Sequence, residues 1–192
     1  MSKTFELLES QISNTLTHIH KPTNVLVNHK MSDILDTLTI PELAKVAVLS
    51  IDTAMNHLDR ISYYHFERDA ILIGDLYSAH YYYVVSQIQS THFQKSLSEA
   101  IIKINALKSY LQNEHHALKE DTFIETVFKI ETHLIDALIE VYQLKNLKEK
   151  LHSRIIAQVE VNQLTYLNFL NENEIQHVID TLHSKYKYNG VV

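Results

Sequence analysis

Cysteine is absent from the sequence, which excludes disulfide frameworks, thiolate metal sites and a cysteine nucleophile, and which fits a reducing, cytoplasmic compartment. Glycine and proline are nearly absent too: Gly74, Gly190, Pro22 and Pro41 are all there are. A sheet protein needs turn residues roughly every 8–12 positions, so helices joined by short polar loops remain. A single interior glycine also excludes a Gly-rich phosphate loop, a GxSxG elbow and a Walker sequence. Basic blocks are missing as well. With 17 basic residues against 23 acidic and a net charge of −6, the counterion release that drives nucleic-acid binding has no source.

No long apolar run is present. The start, MSKTFELLESQ, reads as a charged helix without the apolar stretch a secretory signal needs. Leu76 to Gln94 contains no Asp, Glu, Lys or Arg, but Ser78, His80, Ser86, Gln87, Gln89, Ser90, Thr91 and His92 make it too polar to span a membrane. It reads instead as a buried helix.

What is present is helical period. At 192 residues and 45% hydrophobic content the chain fits one all-α domain, residues 1–192, built as a helical bundle. Thr39 is placed to cap a helix from about Pro41 to Leu58, with Pro41 and Glu42 suited to its first turn. From Arg68 to about Ile88 apolar residues cover every face, as in a helix at the centre of a domain or against a partner. Gly74 and Ser78 fall one turn apart there, and two small residues on one face let a neighbouring helix come close. Leu97 to Leu111 outlines a further helix, and Phe123 to Leu144 keeps continuous helical period. Leu151 to Leu164 continues into another helical stretch, and Asn171 with Glu174 resembles a capping box ahead of Ile175.

Candidates for chemistry are few. The 13 histidines include no pair at the four-residue spacing of a helical metal site, and HExxH is absent. Two Glu-x-x-His pairs, Glu149/His152 and Glu174/His177, suit a di-iron bundle. If the chain reverses near Asn171, however, His152 lies about 28 Å from the turn and His177 about 9 Å, at ~1.5 Å per residue. They would not meet. Glu120, Asp121 and Glu125 could bind Mg²⁺ or begin a helix, and the helix start is favoured. Asp136 and Glu140 read as isolated, solvated positions. No catalytic and no metal-ligating residue is assigned.

The segment ERDAILIGDLYSAHYYYVVSQI, Glu67 to Ile88, resembles the signature of the small subunit, component 1, of bacterial heptaprenyl or hexaprenyl diphosphate synthases. Gly74, Asp75, Tyr77, Ser78, Tyr81 and Tyr82 carry most of that likeness. The family is similar, more distantly, to the catalytic trans-prenyltransferases, which implies a degenerate isoprenoid-synthase-like fold. Their first aspartate-rich motif would fall at Thr53 to Asp59, where this chain reads TAMNHLD. One carboxylate, Asp59, cannot assemble a Mg²⁺ cluster for an ionising diphosphate. The basic residues that follow shrink to Arg60 and Arg68, and no second aspartate-rich motif appears.

The resemblance therefore implies a non-catalytic, obligatory subunit of a heterodimeric synthase (C30–C35 products). Its large, aspartate-rich partner would carry Mg²⁺ and extend farnesyl diphosphate with isopentenyl diphosphate for menaquinone side chains. This chain itself would need no cofactor. For Tyr77, Tyr81, Tyr82 and Tyr83, core packing stands beside contact with partner or product. Two other readings remain open: a helical regulatory or interaction module unrelated to prenyl transfer, and a metal-dependent bundle enzyme.

Overall fold

A computed structural model describes residues 2–16, 25, 27–60 and 68–187. Among them are eight α-helices, joined in places by 3₁₀ turns, and no strand. The helices gather into two compact units, residues 1–90 and 91–192, and each is described by itself.

The first unit holds α1 (Lys3–Leu16), α2 (His29–Asp36), α3 (Glu42–Asp59) and α4 (Arg68–Ile88). On α1 the inward stripe is Phe5, Leu8 and Ile12, while Lys3, Glu6 and Glu9 face water, the ordinary division of a surface helix. The first backbone amides of α1 are capped from outside the helix. The Asp36 carboxylate accepts the N–H groups of Lys3 at 2.7 Å and Thr4 at 3.1 Å, and the hydroxyls of Ser2 and Thr4. α2 is capped by Asn28, whose side chain accepts the Met31 N–H.

α3 is the centre of this unit and packs against α1, α2 and α4. Every residue from Ala44 to Met55 except Asp52 is buried. Pro41 itself takes the cap position of α3, with extended backbone and no side-chain hydrogen bond. Thr39 therefore does not cap it: the proline's fixed φ aims the chain into the first turn, where its missing N–H would have had no partner.

The second unit holds α5 (Thr91–Glu114), α6 (Glu120–Val141), α7 (Lys148–Ile156) and α8 (Glu172–Lys185), with α6 packed against the other three. The expected capping box is present: Asn171 Oδ1 accepts the Glu174 N–H at 3.0 Å, and Glu174 Oε2 accepts the Asn171 N–H at 2.8 Å.

Two helix ends differ from their sequence-based expectation. α6 stops at Val141 rather than Leu144, and α7 stops at Ile156, leaving Val159 and Leu164 outside it. Val159 and Leu164 are nonetheless buried, because short turns can bury an apolar side chain as well as a helix can. The uncharged run from Leu76 to Gln94 is not one helix. Gln89, at φ 52°, lies between the end of α4 and the start of α5. Among the described residues, no helix is long and apolar enough to cross a membrane.

Candidate functional site

The six signature residues lie on α4, and the helical repeat divides them between two faces. Gly74, Tyr77 and Tyr81 are buried, Ser78 is half-buried, and Asp75 and Tyr82 are exposed. Positions three, four and seven residues beyond Gly74 share its side of the helix, which is why Tyr77, Ser78 and Tyr81 follow it inward.

Gly74 marks where α4 meets α3. A β-carbon at this position would lie 2.6 Å from Leu58 Cγ and 2.7 Å from Leu58 Cδ2, with the Ala54 carbonyl oxygen at 3.4 Å. The close helix approach expected from the small residues is thus set by glycine against Leu58. Tyr77, three residues further along α4, is buried as well. Burial, reinforced by the Glu9 carboxylate, pushes its phenol up to about 12, so it stays neutral.

The opposite face of α4 is open. Leu72, Tyr82 and Tyr83 are 48%, 66% and 59% exposed, and Asp75 and Ala79 lie among them. Tyr82 leans on Tyr81 with ring centroids 5.1 Å apart. Among the described residues, Asp75 makes no hydrogen bond or ion pair. The aromatic run at 81–83 therefore serves two ends, Tyr81 the core and its two successors the surface.

The segment Thr53 to Asp59 forms the last turns of α3. Thr53 is fully buried and donates its hydroxyl to the Leu49 carbonyl at 2.7 Å. His57 is 2% exposed, and burial, with the Arg60 charge beside it, lowers its imidazole to about 4. Met55 is buried, and the Asn56 amide donates to Asp52. A committed hydroxyl, a thioether and a neutral imidazole do not fit Mg²⁺, which takes carboxylate, water and phosphate oxygens in near-octahedral array. Arg60 follows directly as the C-cap of α3. The side chain of Arg68 lies outside the described residues.

The second unit disposes of the remaining candidates by pairing them. His152 contacts Asp136 at 2.8 Å and His177 contacts Glu120 at 3.0 Å. Asp136 and Glu120 are 16 positions apart on α6, about 24 Å at 1.5 Å per residue, so the two Glu-x-x-His motifs sit at opposite ends of that helix. Glu174 is occupied in the capping box. Glu120 and Asp121 form the acidic first turn of α6. Asp121 binds Lys185 at 2.9 Å and Glu125 binds Lys129 at 2.7 Å.

Asp136 is half-buried and paired, not isolated and solvated as its sequence-based reading had it. Burial alone would raise its carboxyl, but His152 and Lys148, the latter at 3.2 Å, outweigh it and hold the carboxyl low. Glu140 is exposed as expected. Among the described residues, no three of His, Asp and Glu gather closely enough to hold a metal ion. A groove of about 630 Å³ against α5 and α6 is lined by Lys103, Lys145 and Lys148, but equally by Glu99, Asp136 and Glu140. It favours neither sign of ligand.

The all-α architecture is that of a prenyl diphosphate synthase chain. It is similar to the crystal structure of heptaprenyl diphosphate synthase from Staphylococcus aureus, with a TM-score of 0.82 and 30% identity over 97% of this chain and 100% of that one. Residues 2–139 match the family described as HexPS-like, the hexaprenyl diphosphate synthase small subunit, and the chain belongs to that family. No curated protein sequence matches it. Family membership decides against an interaction module unrelated to prenyl transfer, and a small subunit implies a catalytic partner subunit.

Proposed function

We propose that this chain is the non-catalytic, obligatory subunit of a cytoplasmic heterodimeric synthase making hexaprenyl or heptaprenyl diphosphate. Its aspartate-rich large partner holds the Mg²⁺, ionises the allylic diphosphate and adds isopentenyl units to farnesyl diphosphate. The product serves as a menaquinone side-chain precursor. The observation that carries this reading is the end of α3. Where catalytic relatives are expected to present metal-binding carboxylates, Thr53 and His57 are sealed in the core, one bonded to its own helix and the other neutral.

What this chain contributes is shape. Gly74 and Leu58 fix α4 against α3 at close range, so that the outward face of α4 is presented on a rigid support rather than on a loop. A partner whose own helices need bracing, or whose growing apolar product needs a wall, gains a preorganised surface at little entropic cost.

The test is reconstitution. The chain alone, its aspartate-rich candidate partner alone, and the two together are supplied with farnesyl diphosphate, isopentenyl diphosphate and Mg²⁺, and product length is read by chromatography. Product from the mixture only, at six or seven isoprene units, is expected. Turnover by this chain alone, or no gain on mixing, would overturn the reading.

A further inference from the structure

We draw no further inference here: the strongest candidate, the groove of about 630 Å³ against α5 and α6, sets Lys103, Lys145 and Lys148 against Glu99, Asp136 and Glu140, with Asp136 already held by Lys148 and His152, and nothing in the structure shows what ligand it would take.

Discussion

Gly74 meets Leu58 at a separation that leaves no room for a methyl group, since a β-carbon would fall 2.6 Å from Leu58 Cγ. Alanine at this position gains about 1 kcal/mol of helix propensity but forces Leu58 to rotate or α4 to lift from α3, and overpacking of this kind costs roughly 1–3 kcal/mol. Gly74→Ala is therefore expected to be neutral to destabilising by about 2 kcal/mol, the sum of these opposing effects. Leu58→Ala made in the same chain should rescue it, because the obstructing atoms are then gone. A double-mutant cycle by urea unfolding measures the coupling, and simple additivity would show that the contact does not matter.

A second contact ties the N-terminal helix down. The Asp36 carboxylate receives two backbone N–H groups and two hydroxyls at the start of α1. Burial by itself would raise its pKa, but these hydrogen bonds from Ser2, Thr4 and Lys3 outweigh it and hold the carboxyl below its ordinary value of 3.8. The stabilisation is thus present above that value and lost as pH falls through the lower folded one. Asp36→Ala is expected to cost about 1–2 kcal/mol near neutrality, as for loss of a helix cap. The gap between variant and wild type should narrow as the pH falls below 3.8. A gap that stays constant with pH would mean that the charge is not its source.

His57 makes the acid response of the first unit steeper. Its imidazole is lowered by burial and by Arg60 from 6.5 to about 4, so the fold favours the neutral ring. Its contribution is complete above pH 6.5 and is lost as pH falls toward 4, because the unfolded chain takes up the proton first. A tenfold change in proton affinity is worth about 1.4 kcal/mol, so roughly 3 kcal/mol is at stake. His57→Met should flatten the fall in unfolding free energy over that interval, whatever it does to stability at pH 7. An unchanged slope would place the acid sensitivity elsewhere.

How far the sequence discloses this structure varies with the element. α4 runs from Arg68 to Ile88 as its pattern predicts. Its inward face could also be read, because Gly74 is the position that tolerates a close neighbour and Tyr77, Ser78 and Tyr81 follow it around the helix. The run of three tyrosines hides this, since composition alone does not say that Tyr82 and Tyr83 turn outward. α2 passes unnoticed because eight residues hold too little period to register. Its one signal was Asn28, a capping residue before Met31. The pairing of Asp136 with His152 and Lys148 was not legible, since it joins α6 to α7 across a turn whose geometry no local pattern specifies.

α6 ends at Val141, three residues before its apolar period does at Leu144. After Val141 the chain closes with the Leu144 N–H donating to Ile139 O at 2.9 Å and the Gln143 N–H to Glu140 O at 3.4 Å, the bonding pattern of a Schellman cap. Such a cap places a residue in the left-handed region, usually glycine, and here it is Gln143 at φ 56°. Without a glycine the sequence shows no stop. Leu144 keeps the apolar period because the second residue past the helix in this motif commonly makes an apolar contact back to its last turn. The left-handed region costs a residue with a β-carbon roughly 1–2 kcal/mol, and glycine returns about 0.5–1 of that as chain entropy. Gln143→Gly should therefore stabilise the chain by about 0.5–1 kcal/mol, a rise of roughly 1–4 °C in melting temperature at this size. Gln143→Ala retains the β-carbon and should give no such gain. If alanine stabilises as much as glycine, removal of the glutamine side chain, not relief of its backbone, is the cause.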